Sequence, residues 1–368
     1  MNLKDTINQY DPTKSLAQAC TPPSAWYTNK AFAEIEQEQV FSNNWLIAAR
    51  VDQLQKSGDY VATEVAGQPI VLVHGEHIKA FYNVCRHHAA QVMETGLGCT
   101  KALTCPYHGW SYKLDGSLAA TPLFEGVEDF DKSHNGLKPV RCEVWEHWVF
   151  VCLDDNTPSL ESFLGDLYGQ IAPLNGDNMQ FHKRVSYDLN CNWKIYVDNY
   201  LDGGYHVPVL HKGLNSALNF RQYKVETRDR YCLQSCPTKA NDNEFAKVRT
   251  GIANYYWQYP NLMINLYEGI MGIIIVEPVA VDRCRVIFDY YFDEDNPQNT
   301  KEFKDNSVEV ANKIQDEDAS VCHSVQRGLA SKGYETGRLS VAKEAGEHLF
   351  HKLLHGDLQI KGSETLKS

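Results

Sequence analysis

Two short stretches hold residue types that could do metal chemistry: Cys85-Arg86-His87 and, after an interval of seventeen residues, Cys105-Pro106-Tyr107-His108. Each offers one thiolate and one imidazole. Together they can ligate a [2Fe-2S] cluster in which one iron takes two cysteines and the other two histidines. A structural Cys2His2 zinc site uses the same residues, but zinc fingers keep cysteine with cysteine and histidine with histidine on another spacing. His88 reads as an exposed or hydrogen-bonded neighbour. A third stretch, Asp198-Asn199-Tyr200-Leu201-Asp202-Gly203-Gly204-Tyr205-His206-Val207-Pro208-Val209-Leu210-His211, sets two histidines five residues apart behind carboxylates. That is the local half of a two-histidine, one-carboxylate site of the kind that holds non-heme Fe(II) and activates O2.

The elements around these residues must bring them together. On an ideal helix His206 and His211 would point about 140° apart, so they converge only if the helix is distorted, and Gly203-Gly204 and Pro208 supply the means. The missing carboxylate must come from elsewhere. From about Asn299 to Leu329 the chain reads as a long helix, with Ala311, Ile314, Val321, Val325 and Leu329 at steps of three, four and seven. Asp318 falls in the gap of that apolar stripe, where a carboxylate must be paired, protonated or bound to metal. Asp316 and Glu317 fall off the stripe and read as solvated. Asp202, four residues before His206, is a rival ligand on the same helical face.

With both motifs in view, the chain resembles the Rieske non-heme iron oxygenases over nearly its whole length. The resemblance implies Cys85, His87, Cys105 and His108 as ligands of a Rieske [2Fe-2S] cluster, with Gly109 as a tight turn and Trp110 packed beneath the cluster loop. It implies mononuclear Fe(II) on His206, His211 and Asp318. Relatives often bridge the cluster of one subunit and the iron of its neighbour with a carboxylate three residues before the first histidine. Here that position is Gly203, so Asp202 is the candidate bridge and Asp198 the runner-up, while Asp198 and Asn199 are candidates for orienting the ligand histidines. Within the family the chain resembles the choline monooxygenase branch in Asp198-Asn199-Tyr200-Leu201-Asp202, His206-Val207-Pro208 and Ser324-Val325-Gln326-Arg327-Gly328-Leu329, and departs from its plant members at His323. The branch implies oxygenation of a small quaternary ammonium compound, choline first, giving betaine aldehyde hydrate on the way to glycine betaine. A ferredoxin or a flavin/iron-sulfur reductase would supply electrons, and the assembly would be a homotrimer. N-demethylation of a betaine or N-methyl amino acid and aromatic-ring hydroxylation use the same metal residues. A plain electron carrier would need only the cluster.

A quaternary ammonium group accepts no hydrogen bond, so aromatic faces are its natural receptor. Tyr255, Tyr256, Trp257 and Tyr259 form a dense aromatic run, with ordinary strand packing as the competing use. Glu268 is a candidate ionic partner.

The rest of the chain fits a two-domain enzyme of α+β class. Its 368 residues, 43% apolar, suffice for two cores. Residues 1–44 read as an N-terminal segment with a helix at Ala31–Phe41, residues 45–154 as the β-rich Rieske domain, and residues 155–368 as the catalytic domain. In the last, strands at Leu262–Leu266, Ile270–Val276 and Arg283–Phe292 predict an antiparallel sheet flanked by helices, of helix-grip type. The net charge of −12 disfavours nucleic acid and anionic lipid as partners. No apolar run approaches eighteen residues, so no membrane span is expected. Met1–Gln18 has no hydrophobic signal core, and the eleven cysteines suggest no oxidised framework, so the expected location is the cytoplasm. Cys232 and Cys236 read as plain strand residues.

Overall fold

The computed structural model describes residues 2–171 and 178–359. The chain forms two compact units, one of residues 41–163 and one of residues 1–40 with 164–368.

The smaller unit is built from strands β1 (Leu46–Arg50), β2 (Asp59–Val65), β3 (Gln68–His74), β4 (Ile78–Tyr82), β5 (Gly96–Cys99), β6 (Leu103–Thr104), β7 (Ser111–Tyr112), β8 (Leu118–Ala120), β9 (Pro139–Trp145) and β10 (Trp148–Cys152). Seven of them form an antiparallel sheet in the order β1-β10-β9-β4-β3-β2-β5, and β6-β7-β8 form a second, small sheet. Ile70 to Val73 of β3 and the whole of β10 are buried, as continuous apolar runs should be when both faces are covered. Ala66 and Gly67 both take positive φ between β2 and β3, the backbone of a two-residue hairpin whose twist matches its strands. The loop after β4 and the loop between β6 and β7 bring Cys85 and Cys105 into one buried cluster with Val71, Phe81, Trp110 and Tyr112.

The larger unit carries β11 (Met179–Leu189), β12 (Lys224–Thr227), β13 (Tyr231–Pro237), β14 (Ile252–Gln258), β15 (Leu262–Tyr267), β16 (Ile270–Ala280) and β17 (Arg283–Asp293). They form one antiparallel sheet in the order β11-β17-β16-β15-β14-β13-β12. The helices Trp193–Leu201, Lys301–Leu329 and Ala345–Leu358 pack on one another and on the sheet. This is the α+β arrangement expected from the sequence. Cys232 and Cys236 are buried residues of β13.

The N-terminal helix runs Lys30–Glu36 and continues as a π-helical turn to Phe41. Its last residue, Glu36, meets Lys194 Nζ at 2.6 Å and accepts from Trp193 Nε1 at 2.7 Å, all three side chains being buried. Burial raises the Glu36 carboxyl and lowers the Lys194 ammonium, and each partner's charge opposes the shift of the other.

The long helix starts at its Thr300 cap, whose side chain accepts from Phe303 N–H. Its buried line is Lys304, Ser307, Val308, Val310, Gln315, Asp318 and Cys322 rather than the apolar stripe expected from the period. Val325 is 42% exposed. Val321, Val325 and Leu329 line a groove beside Asp198, Asp202 and Tyr27, so the C-terminal half of the apolar stripe faces a recess while Gln315 and Asp318 are buried. Among the described residues no helix is long and apolar enough to cross a membrane.

Candidate metal centres

In the smaller unit Cys85 and Cys105 are buried while His87 is half-buried and His108 exposed, so thiols lie inward and imidazoles outward. The two histidine rings are 4.7 Å apart by centroid, and His87 stacks on Trp110 at 4.7 Å with planes 3° apart. Gly109 takes φ +72° and closes the second loop through its N–H to the Cys105 carbonyl. The Tyr112 hydroxyl lies 3.3 Å from Cys85 Sγ and accepts from Arg86 N–H. His87 Nδ1 is buried without a hydrogen-bond partner, a lone pair with no other use. Two inward thiols and two outward imidazoles suit a [2Fe-2S] cluster and are not the all-cysteine set of a plain ferredoxin.

The second centre depends on a helix that breaks. Trp193–Leu201 ends, Gly203 and Gly204 take φ +68° and +66°, and a short helix Val207–Leu210 follows with Pro208 in its first turn. A Cβ on Gly203 would lie 2.2 Å from the Lys343 carbonyl oxygen, so the backbone here approaches too closely for any other residue. His206 precedes the short helix and His211 follows it, which brings their rings to 4.9 Å at 80°. Their Nε2 atoms lie 3.8 and 3.0 Å from Asp318 Oδ1, and all three donor atoms fall within 4.8 Å of one another. His206 Nδ1 meets Asp202 Oδ2 at 2.6 Å, and His211 Nδ1 meets Glu317 Oε2 at 2.6 Å. Carboxylates accept only, so both Nδ1 atoms carry protons, and the two Nε2 atoms that face Asp318 are the ones left to ligate a metal. Burial lowers the His211 pKa, but Asp318 and Glu317 outweigh it and the net shift is upward. Two imidazole nitrogens and one carboxylate suit Fe(II).

Several expectations change here. Glu317 is half in water yet holds His211, because the loop that delivers His211 arrives beside it. Asp202 sits behind His206 and also accepts from the N–H groups of Tyr205 and His206. Asn199 orients no histidine; its Nδ2 donates to Asp318 Oδ1 at 2.8 Å. Asp198 points the other way, accepting from the Tyr27 hydroxyl at 2.8 Å and meeting His351 Nε2 at 2.9 Å, with Glu347 close by. His323 accepts from Asn190 N–H and anchors the chain ahead of the helix that carries Asn199.

A cavity of about 140 Å³ opens on His206, His211 and Asp318, roughly ten times the ~10–15 Å³ that a single water needs. Of the aromatic run only Tyr255 lines it. Trp257, on the Tyr255 face of β14, and Tyr259, just past the strand's end, pack on Phe350, and Tyr256 turns to the other face beside Tyr231. Glu268 is exposed in the β15–β16 turn, outside the cavity wall. The rings that line the cavity come instead from Tyr196, Tyr200, Tyr223, Tyr267, Phe288 and Tyr290, scattered over three elements and a loop and so invisible to a search for local runs. Burial holds the Tyr196, Tyr200, Tyr223 and Tyr255 phenols well above their ordinary value, so they stay neutral.

Residues 44–131 match the Rieske [2Fe-2S] domain and residues 177–356 the catalytic domain of the ring hydroxylating alpha subunit. The chain is 34% identical to the chloroplastic choline monooxygenase of Arabidopsis thaliana over 98% of its own length and 88% of that protein. It is 32% identical to the carnitine monooxygenase oxygenase subunit of Escherichia coli, covering 92% of this chain and 93% of that one. Its fold superposes on the quaternary ammonium Rieske monooxygenase CntA with bound L-carnitine at a TM-score of 0.82, with 29% identity, 97% of this chain and 99% of that chain covered. Naphthalene 1,2-dioxygenase from Rhodococcus, 19% identical with a TM-score of 0.81 over 98% of this chain and 99% of that one, shares the fold. The chain belongs to the Rieske non-heme iron oxygenases, enzymes of two cofactors, a [2Fe-2S] cluster and a mononuclear iron.

Proposed function

We propose that this chain is a monooxygenase of a small quaternary ammonium compound, with the cluster on Cys85, His87, Cys105 and His108 and the iron on His206, His211 and Asp318. The observation that carries the reading is the cavity itself. It ends on the three iron-site residues, neutral aromatic rings line it together with aliphatic side chains and Arg249, and Asp318 is the only acid among its lining residues. A permanent cation there meets ring faces, each worth about 0.5 to 2 kcal/mol. The relatives named for choline and carnitine support it.

When bound, the cluster supplies single electrons and the iron supplies O2 activation. The chain's own side chains do the positioning. Asp202 and Glu317 fix the two imidazoles, Asn199 holds the Asp318 carboxylate, and Val207, Leu214, Ile270 and Ile274 keep the cavity wall apolar. Asp202, joined to His206, is also our candidate for the iron-side end of the electron route from a neighbouring copy in a homotrimer. A ferredoxin or a flavin/iron-sulfur reductase would serve as donor, and the cytoplasm is the proposed location.

Two outcomes follow from one oxygen insertion. Choline, first in the sequence reading, would give betaine aldehyde hydrate. A betaine or N-methyl amino acid would consume O2, two electrons and two protons, release water and gain an N-hydroxymethyl group, which sheds formaldehyde and a proton. Arg249 in the cavity wall favours this second reading. The test is EPR of the anaerobic Fe(II) holoenzyme with nitric oxide, before and after choline, glycine betaine, carnitine and a benzoate. An ammonium compound should perturb the iron-nitrosyl signal. A change with the benzoate alone would move the function to aromatic-ring oxygenation.

A further inference from the structure

Arg249 lies in the connection between the helix Glu244–Lys247 and β14, is 5% exposed, and lines the same cavity as His206, His211 and Asp318. Its Nη1 donates to the Val248 carbonyl at 2.7 Å and Ser307 Oγ at 2.6 Å, and its Nη2 donates to the Ser307 carbonyl at 3.1 Å. These are neutral acceptors. Among the described residues no carboxylate pairs with it. A guanidinium does not shed its proton in a protein, so a full positive charge stays buried beside the substrate space. Buried charges are paired or bind a ligand, because one left without a counter-charge is strongly unfavourable.

The surroundings of Arg249 suit an anion. Its guanidinium sits 5.0 Å from the Tyr267 ring centroid, and the Tyr267 and Tyr255 hydroxyls touch at 2.7 Å, leaving one of the two phenolic protons free to donate. Its charge also reaches Tyr290, where it opposes the upward shift that burial imposes. Between Arg249 and the iron-site residues, the cavity wall is formed by Ala311, Ile314 and Gln315 of the long helix. Gln315 Nε2 is buried there without an acceptor, a second donor with no partner. Ser307, which anchors the guanidinium, and Asp318 are eleven residues apart on that helix, about 16 Å along its axis. Arg249 and the iron-site residues therefore stand toward opposite ends of the substrate space.

We propose that Arg249, with the Tyr255 and Tyr267 hydroxyls, is a carboxylate subsite, and that the substrate is a zwitterion whose carboxylate docks there while an N-methyl group faces His206, His211 and Asp318. The inference rests on the quaternary ammonium reading and narrows it. A zwitterion neutralises the guanidinium and places its cation against the rings. Choline instead would add a second positive charge to a cavity that already holds one, and its hydroxyl offers no counter-charge.

The test compares ligands that differ only in that group, by calorimetric titration of the anaerobic holoenzyme: glycine betaine against choline, and γ-butyrobetaine against its methyl ester. The acids should bind at least tenfold more tightly than their partners that lack the carboxylate. Arg249→Gln should abolish that preference and Arg249→Lys keep part of it, with iron content unchanged in both. The comparison in the unaltered enzyme needs no variant to fold. If choline and the ester bind as tightly as the acids, the carboxylate subsite is overturned and the ammonium reading stands. If no ammonium compound of either kind binds, both fall together.

Discussion

His206 and His211 each give Nδ1 to a carboxylate, and the two carboxylates come from different places: Asp202 from the turn after the site helix, Glu317 from the long helix. Such outer partners fix a ligand imidazole in one tautomer and orientation, and their loss typically weakens metal binding about 10- to 100-fold. Glu317→Gln should lower Fe(II) affinity by that factor, read by competition with a chelator, while the cluster's visible spectrum is unchanged. Unaltered iron affinity would make Glu317 an ordinary surface acid. Nothing in the sequence marks Glu317 for this role, since helical period ranks residues by burial and its side chain is 44% exposed. Asp318 was readable for the opposite reason: a lone acid within an apolar period is costly unless something uses it. Arg249 lacks both signals, because it lies in a short connection with no period around it.

The elements were read more easily than their terminations. Strands such as β15, β16 and β17 show as apolar runs between turn residues, and the long helix shows as a period. The break at Gly203-Gly204 was readable as a need, since two histidines five apart must be brought round. Its form, a helix stopped and restarted, depends on the Lys343 carbonyl packed against Gly203 from far along the chain. Long-range clamps of this sort leave no local mark. The Lys194–Glu36 pair is another, fastening the N-terminal helix to the helix that carries Asp198 and Asn199. Removing one partner of a buried pair leaves an uncompensated charge and costs about 3 to 5 kcal/mol, whereas removing both charges is often near neutral. Lys194→Met should therefore be destabilised by that amount in urea unfolding. Lys194→Met with Glu36→Gln should recover most of it, the amide still accepting from Trp193 Nε1. A double variant no better than the single one would show that the pair acts through packing alone.

At the scale of the whole molecule, three segments remote in sequence meet in one acidic network: Tyr27 from the N-terminal region, Asp198 from the site helix, and Glu347 with His351 from the C-terminal helix. Burial pushes the Glu347 carboxyl well above its ordinary range, and the charges of Asp198, Glu344 and Asp202 push it further the same way. His351 Nε2 is 3.9 Å away, too far for a hydrogen bond that would offset this. A carboxyl whose folded value exceeds its unfolded one binds more protons in the native state. Its contribution is thus harmless below the unfolded value near 4.5 and turns unfavourable as pH rises from there toward the folded value. The holoprotein should accordingly lose stability between mildly acidic and alkaline pH, and Glu347→Gln, which cannot ionise, should lose less. At pH 8 the variant should melt at a higher temperature than the parent, while near pH 4.5 the two proteins should melt together. A Tm difference of the same size at both pH values would mean that Glu347 acts through its shape, and the acidic network would then be a packing feature with no electrostatic strain.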